Sequence, residues 1–190
     1  AKARVDHHYS DSACDTYNDF RELLERPDID AVIIGSPDHW HVLHGIYAAR
    51  AGKDMYLEKP MGLCAADNQA LRDAIHRHKR VFQYGTQQRS SENFRIACEL
   101  VRNKRIGELR HIEVAAPPSI PGGEVPPEPV PPGVDYELWL GPAPLAPFSK
   151  NRIVNEYWWH NTDYALGFVA GWGIHHVDIA QWGCDMDLSG

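Results

Sequence analysis

A lysine flanked by glutamate and proline directly follows a short apolar run. Glu58-Lys59-Pro60 comes after the strand predicted at residues 54–57. The carboxyl ends of parallel strands are where open α/β sheets bind ligands. A lysine in that place can donate a hydrogen bond to a substrate oxygen and help to move its proton. By itself, however, the tripeptide is an ordinary surface ion pair, so the surrounding sequence decides its meaning.

Other residues capable of chemistry follow the neighbouring predicted strands. Ser36-Pro37 ends the preceding strand, and residues 85–89 end the following one. A segment rich in histidine near the C-terminus includes His175, whose imidazole suits general acid–base work near pH 7. Together these segments make Lys59 a candidate active-site residue.

The elements that must position these residues repeat a pattern of short strands and amphipathic helices. Asp19 and Glu22 have the spacing of a capping box, and residues 1–16 read as a helix tail that runs into a loop. The β-branched run at 31–35 is typical of a strand buried on both faces. Strands are predicted at 31–35, 54–57 and 81–85, and helical stripes at Val42, Ile46 and Ala49, at Leu71, Ala74, Ile75 and His78, and at Phe94, Ala97 and Val101. Three strand-plus-helix units predict a parallel α/β sheet.

The architecture changes near Gly107. Residues 109–116 alternate apolar and polar side chains, which predicts a strand with one exposed face. Eleven of the thirty-one residues from 117 to 147 are proline, which excludes a continuous helix. Large apolar residues within and beside this segment favour an ordered loop packed on the fold. Helical spacing resumes near Val177.

Composition excludes several classes of partner. Acidic residues outnumber Lys and Arg by 26 to 19, the net charge is −7, and no basic run is present, so no nucleic-acid or membrane partner is expected. No stretch approaches the roughly 20 apolar residues of a membrane span. The 4 cysteines are widely spaced and are expected to be reduced thiols. We expect a cytoplasmic protein, or a periplasmic one if a signal was removed upstream.

Several motifs, in order, resemble the signatures of the Gfo/Idh/MocA oxidoreductases. They are Ser36-Pro37-Asp38-His39-Trp40-His41, Ala51-Gly52-Lys53, Tyr56-Leu57-Glu58-Lys59-Pro60 and Gly173-Ile174-His175-His176-Val177-Asp178. The stretch from Trp139 to Pro144 is similar to a Pro-rich, sugar-active bacterial subgroup. The resemblance implies a partial Rossmann-type parallel sheet followed by the start of an α+β domain with an open, mainly antiparallel sheet. The expected domains are an incomplete dinucleotide-binding domain at 1–107 and a partial substrate-binding domain at 108–190.

The resemblance also implies a reaction and a set of residues. The reaction is hydride transfer between NAD or NADP and a hydroxyl-bearing carbon of a sugar, sugar acid or cyclitol. Lys59 and His175 match the catalytic positions. Cofactor binding is expected at Ser36, Pro37, His41, Glu58, Lys59 and Gln87, although a structural role for His41 is an equal alternative. Substrate binding is expected at Trp158, His176 and Asp178, with Trp158 chosen over Trp159 and Trp172 for stacking on a sugar ring. The complete protein is expected to be a homodimer or homotetramer.

Two departures from the family pattern leave alternatives open. Many members carry an aspartate where this chain has Gly171, so His160, Asp163 or Asp178 substitutes for it, or the chemistry differs. No G-x-G-x-x-G occurs, so we expect a chain truncated at both ends that lacks the first βαβ unit and binds a dinucleotide poorly or not at all.

The alternatives in function are a redox-neutral enzyme that cleaves or epimerises glycosides with tethered NAD, and a catalytically silent fragment or partner-binding module. His160, His175, His176 and Asp178 are suitable ligand types for a metal ion. Adjacent histidines point apart on a helix, and no metal is predicted.

Overall fold

Three parallel strands form the sheet at the centre of the first half of the chain. The computed structural model describes residues 1–120 and 125–187. Strands β1 (Ala31–Ile34), β2 (Asp54–Glu58) and β3 (Phe82–Gly85) pair in sequence order. Ile34 lies beside Leu57, and Glu58 lies beside Gly85, so the three strands end at one edge. The predicted Rossmann-type parallel sheet is confirmed, with strand ends within one residue of their predicted places.

The rest of the regular structure among the described residues is helical. The described α-helices are α1 (Lys2–Tyr9), α2 (Phe20–Leu24), α3 (Asp38–Arg50), α4 (Ala65–His78), α5 (Glu92–Arg102), α6 (Tyr136–Leu140), α7 (Lys150–Ile153), α8 (Asn155–Trp158), α9 (Gly167–Gly171) and α10 (Gly173–Gly183), and a 3₁₀ helix spans Gln87–Ser90. As predicted, Asp19 caps α2, because its carboxylate accepts the Arg21 N–H at 2.9 Å. None of the described helices has the length and apolar character needed to cross a bilayer.

The core lies between one face of the sheet and the helices α3 and α4. Ala48 and Ala49 of α3, Leu57 of β2 and Leu71 of α4 are completely buried there. Burying a leucine of this kind stabilises a fold by about 1.5–3 kcal/mol. Ile33, in contrast, is 81% exposed, so the prediction that β1 is buried on both faces was wrong. Strand side chains alternate between faces, and the described helices cover only the face that Ile34 meets.

The second half contains no strand among its described residues, 108–120 and 125–187. The strand predicted at 109–116 was therefore wrong, and the expected antiparallel sheet is not formed by these residues. A strand requires a hydrogen-bonded partner, and the described chain offers none to this segment. The alternation of apolar and polar side chains at 109–116 is compatible with a strand but does not supply the partner that a strand needs.

The described part of the proline-rich segment packs against the fold, as predicted. Tyr136 and Leu140 of α6 form a buried cluster with Phe148, Trp158 and Tyr164. An ordered loop is possible here because these large side chains supply the burial that a disordered linker lacks.

Three contacts then tie the same segment to α3. The Trp40 indole donates to Leu138 O at 3.0 Å, and His39 Nε2 donates to Trp139 O at 2.9 Å. Gly141 has φ 48°, and a Cβ there would lie 2.0 Å from the Trp40 ring. Only glycine fits such an approach, so the second half of the chain is held beside the start of α3.

Candidate active site

A cleft of about 250 Å³ opens at the carboxyl edge of the sheet. One wall consists of residues at the strand ends and the start of α3, and the other is largely aromatic and comes from the second half of the chain. The first wall contains Gly35, Ser36, Asp38, His41, Glu58, Lys59 and Pro60, and the second contains Trp158, Trp159, Gly167, Phe168, Gly171 and Trp172. The structure thus brings together four of the predicted site residues of the first half with the predicted tryptophan of the second.

Lys59 joins the two walls of the cleft. Its Nζ donates to the backbone carbonyl of Gly171 at 2.9 Å, although 112 residues separate the two in sequence. Gly171 is the position at which the family resemblance implied an acid. The acceptor for the lysine is therefore a main-chain oxygen at the same position, which carries no formal charge.

Gly85 allows the end of β3 to approach the Lys59 segment closely. A Cβ at Gly85 would lie 2.8 Å from Leu57 O and 3.2 Å from Lys59 N. A real Cβ does not reach such distances, so the absence of a side chain at Gly85 fixes the spacing of the strand ends beneath the cleft.

Asp38 is a buried carboxyl group in this cleft and was not among the predicted site residues. It is the first residue of α3 and is only 7% exposed. Burial raises the pKa of Asp38 to about 7, against the opposing charge of Lys59. The sequence signal that could have identified Asp38 is an acid directly after Ser36-Pro37, at the end of a parallel strand.

His175 is buried near the cleft without lining it. Only 3% of the residue is exposed, and its Nδ1 has no hydrogen-bond partner among the described residues. Burial lowers the pKa of His175, and the positive charge of Lys59 adds to this effect. The imidazole is therefore neutral near pH 7 and retains a nitrogen that can accept a proton.

His41 fastens the ends of β1 and β2 together. Its two ring nitrogens lie 2.6 Å from Pro60 O and 2.7 Å from Ser36 O. Burial lowers the pKa of His41, whereas the two carbonyl acceptors favour the protonated ring. With both nitrogens on the main chain, the geometry favours the structural role over direct cofactor binding.

Ser36 faces the cleft with its hydroxyl held in place by a second histidine. The Ser36 hydroxyl and His44 Nδ1 are 2.9 Å apart. Burial lowers the pKa of His44 to about 4, so the ring that contacts the Ser36 hydroxyl is neutral near pH 7.

Pro37 and Gln87 do not line the cleft. Pro37 lines a neighbouring cavity with Trp40 and His44, and Gln87 is exposed on the 3₁₀ helix.

The three candidate tryptophans differ in how much of each residue is exposed. Trp158 is only 8% exposed and belongs to the buried cluster, whereas Trp159 and Trp172 are 40% and 45% exposed. The latter two offer more ring surface to a sugar than the predicted Trp158.

The two other predicted substrate residues lie outside the cleft. Both carboxylate oxygens of Asp178 accept from Arg89, at 2.7 and 2.9 Å, and His176 Nδ1 donates to Ala115 O at 2.9 Å. Their placement does not support substrate binding in this cleft, because each is engaged in holding α10 to its neighbours.

The histidines considered as metal ligands are not gathered at one place. His160 accepts from the Ile120 N–H at 3.2 Å. Within the described ranges, no group of three potential ligands is placed to hold a metal ion.

The parallel three-stranded sheet, with a cleft at the carboxyl ends of its strands, has a Rossmann-like architecture. Residues 2–86 match the NAD-binding Rossmann-fold domain of an oxidoreductase family, and residues 121–189 match the C-terminal alpha/beta domain of that family. The chain belongs to the Gfo/Idh/MocA oxidoreductases. The nicotinamide cofactor class expected from the sequence is confirmed at the level of the family, since the matching domain is the NAD-binding one.

Curated relatives are similar over about half of the chain. An uncharacterized oxidoreductase of Rhizobium meliloti, ORF334, is 35% identical over 98 residues, which is 52% of this chain and 29% of that protein. The myo-inositol 2-dehydrogenase of Thermotoga maritima is 29% identical over 120 residues, 63% of this chain and 33% of that protein. The matches thus span about a third of the length of these relatives.

A solved structure is similar over nearly the whole chain. The crystal structure of an oxidoreductase domain protein from Kribbella flavida has a TM-score of 0.65 at 24% identity, and the match covers 96% of this chain and 42% of that one. At this identity the likeness supports the fold and not a shared substrate.

Proposed function

We propose that this chain forms part of an NAD(P)-dependent oxidoreductase that acts on a hydroxyl group of a sugar, sugar acid or cyclitol. The observation that carries the proposal is the position of Lys59, which lies at the carboxyl end of β2 and donates to Gly171 O across an aromatic-walled cleft. The likeness to a myo-inositol 2-dehydrogenase supports a polyol as the substrate class.

Some residues of the cleft would contact the cofactor and others the substrate. Ser36 and Glu58 would hold the nicotinamide at the strand ends, and Trp159 and Trp172 would stack on the sugar ring. When bound, an oxidised nicotinamide supplies the acceptor for the hydride that leaves the alcohol carbon. Lys59 takes up the hydroxyl proton during oxidation and returns it during reduction. His175 is the second candidate for holding this proton. Its ring is neutral, and its buried Nδ1 has no hydrogen-bond partner among the described residues.

The residues of this chain can contact the nicotinamide half of a dinucleotide but not its diphosphate. The strand ends and the aromatic wall suit a flat ring, but no glycine-rich loop occurs in the 190 residues to hold a diphosphate. We therefore propose that this chain binds the nicotinamide half and leaves the adenylate half without contacts. We also propose a domain boundary at residues 107 and 108, which is supported by the family matches ending at 86 and resuming at 121.

Titration with NADH and with reduced nicotinamide mononucleotide, followed by nicotinamide fluorescence, tests the proposal. Both probes are expected to bind with similar dissociation constants, because the adenylate half adds no contacts. Lys59→Met should weaken binding on the order of tenfold, which corresponds to about 1.4 kcal/mol. Lys150→Met is the matched control, since Lys150 is exposed and does not line the cleft. If neither probe changes its fluorescence at millimolar concentration, the nicotinamide proposal fails.

A redox-neutral reaction is the second candidate. Glycosyl hydrolase family 109 protein 1 of Shewanella sp. (strain ANA-3) is 33% identical over 96 residues, which is 50% of this chain and 21% of that protein. The lack of a side-chain acid at Gly171 is a further difference from the dehydrogenase pattern. Turnover of a polyol with net NADH formation would support the dehydrogenase, and cleavage of an aryl glycoside without net NADH would support this second reaction.

A further inference from the structure

We propose that Asp38 is the group that exchanges protons with Lys59, the role for which the sequence offered His160, Asp163 and Asp178. The proposal rests on the proposed oxidoreductase function, because it concerns the proton that leaves the substrate hydroxyl. Asp38 would act through Lys59 and is therefore a positioning and relay residue.

The placement of the carboxyl groups supports Asp38 over the other three candidates. Asp38 lines the cleft that contains Lys59, whereas none of the other three does. Asp178 is bound through both oxygens to Arg89. Asp163 lies 3.8 Å from Arg152 and lines a different cavity. His160 already accepts a backbone N–H.

Asp38 also connects the cleft to a second cavity. A cavity of about 280 Å³ lies at the start of α3, lined by Asp67, Thr162 and Asp163 together with apolar residues such as Val42 and Leu63. Asp38 is the one described residue that lines both spaces. A proton that reaches the Asp38 carboxylate can therefore leave it on the side of the second cavity, away from the aromatic wall of the cleft.

The charges around Asp38 suit reversible proton exchange. Burial raises its pKa to about 7, so that both protonation states are populated near neutrality. Lys59 opposes this shift with its positive charge. The titratable groups that share a cavity or an electrostatic interaction with Asp38 are Lys59 and Glu58 at the end of β2, His39 and His41 on α3, Asp67 on α4, Tyr84 on β3, and Asp163 before α9.

The proposed step balances in both directions. During oxidation a bound NAD(P)⁺ would accept the hydride from the alcohol carbon, and Lys59 Nζ would accept the proton from its hydroxyl. Lys59 and Asp38 make no direct contact, so the resulting ammonium passes one proton to the Asp38 carboxylate through a water in the cleft, and the protonated carboxyl releases it into the second cavity. During reduction the same proton returns from Asp38 to Lys59 and then to the carbonyl oxygen.

Competitive acetylation of Lys59 across pH, quantified by mass spectrometry, tests the coupling without cofactor or turnover. Asp38→Asn removes a nearby negative charge that favours the ammonium, so half-maximal labelling should move to lower pH by on the order of one pH unit. Asp67→Asn is the matched control, because Asp67 lines only the second cavity. Superimposable profiles for the two variants would overturn the proposal.

A reciprocal measurement keeps the proposal testable if Asp38→Asn folds poorly. The Asp38 carboxyl can be followed by ¹³C NMR in the chain labelled at aspartate, with and without Lys59→Met. Loss of the lysine should raise the pH midpoint of the Asp38 resonance, and an unchanged midpoint refutes the coupling. Either negative result leaves the nicotinamide titration unaffected, so failure of this proposal is distinct from failure of the oxidoreductase proposal.

Discussion

Replacement of Asp38 by asparagine should become more favourable to the stability of the fold as the pH rises from acid to alkaline. The pKa of this carboxyl is raised from 3.8 to about 7 in the folded chain, so the folded state binds its proton more tightly than the unfolded state does. The stability of the parent therefore falls as pH rises from about 4 to about 7 and stays low above that range. A shift of about three pH units corresponds to about 4 kcal/mol as an upper bound.

The assay is urea unfolding of parent and Asp38→Asn at pH 4.5 and pH 8, followed by tryptophan fluorescence. Asparagine has nearly the same shape but cannot ionise, so it avoids the cost of a buried charge. The stability difference, variant minus parent, should become more positive by about 2–4 kcal/mol between the two pH values. Asp67→Asn, at an exposed position on α4, should change it by less than about 0.5 kcal/mol.

Parallel pH profiles for the parent and Asp38→Asn would refute the reasoning. They would mean that Asp38 ionises at the same pH in both states, either because water reaches it or because Lys59 compensates fully for its burial. A downward change for the variant at high pH would mean that the charged carboxylate stabilises the fold, opposite to the sign derived from its burial.

Three further substitutions test how the site is supported. Leu71→Ala should destabilise the chain by about 2–5 kcal/mol, because Leu71 is completely buried between α4 and α3, and a loss under 1 kcal/mol in urea unfolding would contradict the packing. Gly85→Ala should cost about 1–3 kcal/mol, because its Cβ would meet Leu57 O at 2.8 Å, and an unchanged unfolding midpoint would show that the strand ends are farther apart. Arg89→Ala should cost about 1 kcal/mol, and less in 1 M salt, because it removes the pair with Asp178; a loss independent of salt would point to packing instead.

Much of the fold could be predicted because its signals are local. Short apolar runs bounded by proline and glycine predict the parallel strands. Apolar residues that recur every three to four positions predict the helices. The prediction at 109–116 failed because an alternating pattern describes a strand's faces and says nothing about its partner. The prediction that Ile33 is buried was wrong for a related reason. A β-branched residue is typical of a strand whether or not a helix covers its face of the sheet.

The candidate site could be predicted only where strand order determines position. Lys59 and Ser36 follow neighbouring parallel strands, so they had to meet at one edge. Asp178, in contrast, is bound by Arg89, which is 89 residues away, and no periodicity reveals such a pairing. Asp38 was overlooked because its chemistry comes from burial, which depends on the packing of distant segments around the start of α3.

The bond from Lys59 to Gly171 has a consequence for variation at that position. Its acceptor is main-chain oxygen, which every amino acid supplies, so a mutational scan would score position 171 as tolerant even though it lies in the cleft. A Cβ at Gly171 would meet no atom within 4 Å. A residue with a Cβ therefore meets no clash at that atom, and the main-chain oxygen that accepts from Lys59 is kept whatever residue stands at position 171.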